Sequence, residues 1–352
     1  MRKFVRTKII SVCLALVMII LMLPISSVTA SASNYSGNFG DNIKWSVDIS
    51  TGVLTISGSG DLKRNPDGSK PWDALKNDIN SVVIEEGITS LGEYMFSFDD
   101  FIKNITFPES LKVIGSESFF CCLGLESVNI PDGVTQIQMN AFSTCWNLKS
   151  VTIGDGVETI DAQAFYGCKN LESVTMGDSV VSIGSNAFYG CEKLSSIELS
   201  KSLESIGNHA FCVCRALKSV SMYDNVKEVG NEAFMGCNSL ESVNYSGTEE
   251  QWDSIVFGEK NEWLIEADRS YNWSSDTDIS DSEENDETPD TNKDGDEKSD
   301  GGNNEEEARS TGCGASIAGY TGVALLSLLT ASVIIRKKKE NCSRNCNRAV
   351  GG

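Results

Sequence analysis

Apolar residues recur along the middle of this chain at a spacing that neither one helix nor one strand produces. Ile79, Ile102, Leu125, Leu148, Leu171, Leu194, Leu217 and Leu240 stand 23 residues apart with no insertion between them. The third residue on from each is Val82, Ile105, Val128, Val151, Val174, Ile197, Val220 or Val243, and the fifth is Ile84, Phe107, Ile130, Ile153, Met176, Leu199, Met222 or Tyr245. Polar residues separate the two, which is the alternation of a short strand with one buried face. Further along each unit come Leu91, Ile114, Ile137, Ile160, Ile183, Ile206 and Val229, then Phe96, Phe119, Phe142, Phe165, Phe188, Phe211 and Phe234. Pairs such as Ala141-Phe142 and Ala164-Phe165 follow the isoleucine column by four and five residues, which predicts a short helical or 3₁₀ turn laid on the same core.

One such unit cannot cover its own apolar side, whereas stacked units bury a continuous ladder. The pattern therefore predicts an α/β repeat, a right-handed solenoid of 23-residue units over 79–245, with seven full turns and a last strand. At about 4.8 Å per rung the rod is roughly 35 Å long. Gly92, Gly115, Gly184, Gly207 and Gly230 follow the isoleucine column, where the chain turns and left-handed backbone is convenient. A capping segment is expected at each end, since bare ends expose the core. In 33–78, Ile43 to Ile49 alternates, turns at Ser50-Thr51-Gly52 and returns as Val53 to Ile56, a hairpin. In 246–273, Trp252, Ile255, Trp263 and Leu264 are the covering residues.

The unit Leu-x-Ser-Val-x-Ile-Pro-Asp-Gly-Val-x-x-Ile at Leu125 to Ile137, followed by Ala-Phe-x-x-Cys at Ala141 to Cys145, resembles the BspA-type leucine-rich repeat of bacterial surface proteins. The resemblance covers about Ile79 to Tyr245, and Gly37 to Trp72 and Gly247 to Trp252 are similar to that family's caps. It implies a leucine-rich-repeat solenoid, a role in binding host, matrix or other cells, and no active site. Arg309-Ser310-Thr311-Gly312 lacks the Leu-Pro of a cell-wall sorting signal.

The ends add an address. Residues 1–32 carry Arg2, Lys3, Arg6 and Lys8, then an apolar run, then Val28-Thr29-Ala30-Ser31-Ala32, the organisation of a cleaved secretory signal peptide. Residues 315–335 are apolar and uncharged, followed by Arg336 to Lys339. That predicts one transmembrane helix with a cytoplasmic tail over 336–352 and the remainder outside, its amino terminus extracellular. The net charge of −21 is concentrated between Asp276 and Glu307, so 274–314 reads as an extended, self-repelling acidic linker. Acidity of this kind excludes nucleic acid as a partner.

Candidate chemistry is sparse. Cys122, Cys145, Cys168, Cys191, Cys214 and Cys237 form a 23-residue column, and a straight column does not converge on a metal. They read as buried thiols packed as small apolar residues, with bridges between neighbouring turns as the alternative. The one histidine, His209, shares a surface column with Tyr94, Glu117, Asn140, Gln163, Asn186 and Glu232. Asp290 to Gly295 matches half of a calcium loop, but Gly301 stands where a bidentate glutamate is needed. No cofactor or metal is expected, and the chain reads as a non-enzyme.

The remaining candidate is the residue between the two buried strand positions: Thr106, Asn129, Thr152, Thr175, Glu198, Ser221 and Asn244, beside Val83 and flanked by a serine column from Ser127 to Ser242. On a horseshoe this ladder lines the concave face, the usual recognition surface. Tyr166, Tyr189 and Phe120 are adhesive candidates on the opposite side, with partial burial against the core phenylalanines as the equal alternative. The expected function is a cell-surface binding protein, an adhesin for a protein or glycan ligand on another cell or matrix. A passive structural coat component and, less favoured, a carbohydrate-active enzyme are the alternatives.

Overall fold

The computed structural model describes residues 35–275. The segments expected to be the signal peptide, most of the acidic linker with its half calcium loop, the membrane span and the tail lie outside the described residues. Within them, one hydrophobic core runs from Phe39 to Leu264 through every repeat.

The chain winds as a right-handed solenoid of about 8 turns of roughly 23 residues. The predicted strand of each unit forms: Ser127–Ile130, Ser150–Ile153, Ser219–Met222 and their counterparts pair in parallel, with Val151 beside Val128 and Val174. Identical residues meet because the period is constant, so each valine buries its methyl groups against the valine of the next coil. This ladder divides into three hydrogen-bonded groups, breaking after Asn104–Thr106 and after Ser173–Thr175.

A second parallel ladder was not expected. The isoleucine column lies in two-residue strands, among them Val113–Ile114, Gln136–Ile137 and Thr159–Ile160, which join with the caps into a continuous nine-stranded sheet. With one inward residue per rung, such a strand shows no alternation to read.

The expected helical turn is also corrected. Around Ala-Phe the chain is a ribbon of tight turns, and the described helices all lie in the caps. Left-handed backbone recurs at Tyr94, Glu117, Asn140, Gln163, Asn186, His209 and Glu232, and again four residues later at positions such as Cys121, Thr144 and Val213. These residues break helical dihedrals, and alternate amides in the ribbon bond to the following coil, while those between them close turns to the carbonyl three residues back. Phe119 N–H donates to Ala141 O at 2.8 Å, and Phe142 N–H to Ala164 O at 2.8 Å. The glycine column is corrected with it. A Cβ on Gly115 would lie 2.2 Å from Leu91 O, and its φ is not positive; close approach of two coils, not left-handed backbone, requires the glycine.

Phenylalanine rings stack along the axis. Phe119, Phe142, Phe165, Phe188 and Phe211 follow one another at 5.0, 5.3, 5.1 and 5.2 Å between centroids, within 8° of parallel. The rung spacing of about 4.8 Å holds the rings at a separation where offset stacking is favourable. Trp72 begins the file beside Phe96, and Phe39 closes it edge-on at 5.5 Å. The predicted hairpin is present as Ile43–Asp48 against Val53–Gly58, with Tyr35–Phe39 added outside it and Val53–Gly58 pairing in parallel with the first repeat strand. At the other end Trp252 and Leu264 are buried as expected on two short helices, Glu249–Asp253 and Glu262–Ile265, with Ile255 buried between them and Trp263 only partly covered.

The cysteine column lies beside this file and is unbridged. Each thiol faces a phenylalanine carbonyl of the preceding coil: Cys122 Sγ donates to Phe96 O at 3.0 Å, Cys145 to Phe119 O at 3.2 Å and Cys168 to Phe142 O at 3.2 Å. That carbonyl also accepts an amide within its own coil, as Phe142 O does from Cys145 N–H. The thiol thus satisfies a buried lone pair. One coil earlier the column holds Asp99, buried and paired with Lys70 Nζ at 3.2 Å. Burial pushes the Cys168 thiol up to about 12 and raises Cys122, Cys214 and Cys237 well above their usual value.

Two outcomes are expected. Replacing Phe142 with Ala deletes one ring from an unbroken stack and lowers stability by about 3–5 kcal/mol, measured by chemical denaturation; a loss under about 1 kcal/mol contradicts a shared core. Alkylation followed by peptide mapping finds Cys145, Cys168 and Cys191 unlabelled in the native protein at neutral pH and labelled in guanidinium, because neither access nor thiolate is present when folded. Native labelling at rates typical of exposed thiols refutes the burial.

Candidate functional site

The residues of the predicted ladder point away from the core because the strand alternates. Thr106, Asn129, Thr152, Thr175 and Glu198 are exposed, and Ser221 and Asn244 are partly covered. Cα register places Asn129, Thr152 and Thr175 side by side, and likewise Glu198, Ser221 and Asn244. The break between Thr175 and Glu198 is also where the buried face loosens, with Val174 and Met176 partly exposed.

The two halves of the ladder differ. In the second half the outward groups are bonded to one another and to the cap. Asn244 Nδ2 donates to Ser221 Oγ at 3.2 Å, and Ser270 Oγ donates to Asn244 Oδ1 at 3.1 Å. Glu198, the one charged member, accepts the Tyr223 hydroxyl at 2.7 Å, and Trp273 packs on the Tyr223 ring at 5.6 Å. Burial, with Glu198 adding to it, pushes the Tyr223 hydroxyl up to about 12. In the first half Asn129, Thr152 and Thr175 form a flat, solvent-facing strip. Beside it runs a column that alternates in sign, Lys103, Glu126, Lys149 and Glu172, all exposed. One pair within it, Lys149 with Glu126, closes at 3.2 Å. That flanking column escaped the sequence reading, although its signs were visible at the 23-residue spacing.

The other candidates separate. Tyr166 and Tyr189 are brought together, stacked at 5.0 Å and 10° on the turn ribbon, whereas Phe120 lies on an earlier coil against Phe98 at 5.4 Å. His209 is partly buried, its Nε2 3.0 Å from Glu232 Oε2, while Lys260 Nζ holds Glu232 Oε1 at 2.7 Å. Lys260 and then His209 draw the Glu232 carboxyl below its usual range. The histidine therefore ties its coil to the last one, and Glu232 carries the link on to Lys260 of the cap.

A ladder of acids on the strand-to-strand turn was not foreseen either. Glu86 accepts Glu109 N–H at 2.8 Å and Ser110 N–H at 3.0 Å, and Asp132 and Asp155 each accept the amide 23 residues on. These carboxylates fasten one coil to the next. Among the described residues no group of three or more His, Cys, Asp or Glu is arranged to hold a metal ion.

Comparison with known proteins fits this construction. The model of the BspA type leucine rich repeat region matches in six copies, over residues 74–149 and 135–262. This chain belongs to the BspA-type leucine-rich-repeat family. Solved structures similar to this BspA-type chain include a T. pallidum leucine-rich repeat protein, 20% identical, covering 65% of this chain and 85% of that one at a TM-score of 0.39. A leucine-rich repeat protein from Bacteroides ovatus is 18% identical over 66% of this chain and 77% of that one, TM-score 0.36. The pneumococcal vaccine antigen PcpA is 13% identical over 68% and 97%, TM-score 0.30. No curated protein matches. Membership of the BspA-type family rests on the repeat itself.

Two results are expected from this geometry. Thr152→Arg changes stability by less than about 0.5 kcal/mol, because an exposed strand position away from packed partners tolerates it; a cooperative melt displaced by many degrees contradicts an outward Thr152. Glu86 is held below its usual pKa chiefly by the Glu109 amide. Its contribution to stability is therefore present above the ordinary carboxylate pKa and is lost as pH falls through the depressed one. Glu86→Gln is expected to melt below the parent at pH 7 and to converge with it in acid. A gap that is constant with pH contradicts the charged role.

Proposed function

We propose that this protein is a cell-surface binding protein, an adhesin, which presents the strand face of its solenoid to a protein or glycan ligand on another cell or matrix. The observation that carries the reading is the strip Asn129-Thr152-Thr175 with its alternating Lys and Glu flank. The strip side chains are not consumed in stacking the coils, and they repeat at one interval along a sheet built on the buried core. Small hydroxyl and amide groups between charges of both signs offer hydrogen bonds to a polar partner surface.

The reading is non-catalytic. The one histidine is engaged by Glu232, and the acids of the turn ladder fasten backbone amides rather than flank a cleft. In this reading residues 1–32 direct export, 315–335 anchor the chain with its amino terminus outside, and the acidic linker lifts the solenoid from the envelope.

Cells displaying the full chain are expected to attach in a saturable way to at least one of a panel of immobilised matrix proteins and glycans. Thr152→Arg with Thr175→Arg lowers that attachment tenfold or more while the melt is unchanged. Attachment no greater than that of cells lacking the protein, or attachment indifferent to both substitutions, contradicts the proposal.

A further inference from the structure

One lysine of this chain is buried in contact with two carboxylates. The Lys70 side chain is 8% exposed and that of Asp99 7%, and Lys70 Nζ stands 3.2 Å from Asp99 Oδ2 and 3.3 Å from Asp73 Oδ1. Other lysine–carboxylate pairs of the solenoid, such as Lys149 with Glu126 and Lys227 with Glu204, keep about half or more of each side chain in solvent. The three groups are held by separate parts of the fold. Lys70 belongs to the cap, two residues before Trp72, and Asp73 is turned back on it by accepting the Lys70 N–H at 2.7 Å. Asp99 comes from the first coil, where its N–H donates to Phe96 O at 3.1 Å, and the Phe96 ring stacks on Trp72. Docking of the cap onto the ring file therefore also brings together a lysine and an aspartate that are 29 residues apart.

The surroundings are apolar and dry. Leu54, Trp72, Ile79, Phe96 and Ile102 line a cavity beside Asp99 that has no room for a water molecule. Trp72, which lines the same cavity, is 1% exposed, and its indole N–H has no acceptor among the described residues. Burial raises the Asp99 carboxyl above its usual pKa, against the pull of Lys70. In water an amine and a carboxyl stay apart as hydrated ions. Here burial penalises both charges, and passing one proton across the pair leaves a neutral amine facing a neutral acid. Reacting groups held within about 3–3.5 Å gain the proximity that the same condensation lacks between free molecules.

From this geometry we infer that Lys70 and Asp99 condense into an intramolecular isopeptide bond, with Asp73 as the proton carrier. Lys70 Nζ attacks Asp99 Cγ and the C–N bond forms. Asp73 takes one proton from the nitrogen of the tetrahedral intermediate and returns it to the hydroxyl oxygen. The C–O bond then breaks, the carbonyl reforms, and one water leaves on the side of Asp73, which is 42% exposed. The products are one amide and one water; no oxidant is consumed and Asp73 ends as it began. The bond fastens the cap that begins the ring file to the first coil and replaces a buried ion pair with a group that carries no charge. It involves no ligand, so the attachment assay of the strand face stands or fails separately.

Digestion of the purified full-length protein with trypsin and a glutamate-specific protease together releases 65–76 and 94–103 as separate peptides unless they are joined. Mass spectrometry is expected to find them as one branched species, lighter than their sum by one water and lacking the intervening 77–93, with fragments that place the link at Lys70 and Asp99. Lys70→Arg, which keeps the cation but cannot form the amide, is expected to abolish the joined species, and Asp73→Asn to lower its yield tenfold or more. Free 65–76 and 94–103 as the main products of the folded parent protein overturn the bond. A joined species undiminished in Asp73→Asn overturns the proton carrier. The parent protein alone decides whether the bond exists, so a variant that fails to fold leaves that test intact.

Discussion

The contact on which everything else depends is that of a side chain with its own equivalent one coil away. Phe142 has no partner within its own coil that covers both faces of its ring; Phe119 and Phe165 do so, at 5.0 and 5.3 Å. The same holds for Val151 between Val128 and Val174, and for Ile160 between Ile137 and Ile183. A coil is therefore a structure only in company, and the constant repeat length follows from that. One residue more or less would slide every column out of register at once. The caps obey the same constraint, with Trp72 supplying the ring that the first coil lacks.

Stacking also dictates what the chain does locally. Left-handed backbone at Glu117, Gln163, Thr144 and Val213 is unfavourable for these residue types. It is maintained because the turn it creates aims alternate amides at the next coil, and because the cysteine beneath fills the second lone pair of each phenylalanine carbonyl. The small thiol is buried in this position and forms no bridge, so the column is accounted for by packing and by its bond to the carbonyl. Asp99 shows the alternative at the end of the file, where Lys70 of the cap is at hand to neutralise a carboxylate.

How much of this was legible follows from the same physics. Columns of Leu, Val, Ile and Phe were readable because burial fixes residue type, and the outward direction of Thr152 or Asn129 followed from strand alternation. The two-residue strands at Ile137 and Ile160 were not, since one buried residue carries no period. The Ala-Phe segment was misread as helical because spacing reports which residues are inside and not which dihedrals bring them there. Tyr166 and Tyr189 stood out in the sequence as adhesive residues, but their rings stack on each other and Tyr189 is buried, which the 23-residue spacing did not reveal. A binding surface on a solenoid is assembled from residues 23 and 46 apart, under no stacking constraint, and so it leaves little pattern.

Excision of one complete coil tests the central claim most directly. Deleting the 23 residues 148–170 joins two coils in unchanged register, and circular dichroism with thermal unfolding reads the outcome. A shortened protein that retains the parent spectrum and melts cooperatively, at a somewhat lower temperature, is the expected result, while deletion of 12 residues from the same point abolishes folding. If the 23-residue deletion unfolds the chain as completely as the 12-residue one, the coils are not equivalent stacked units and the account fails.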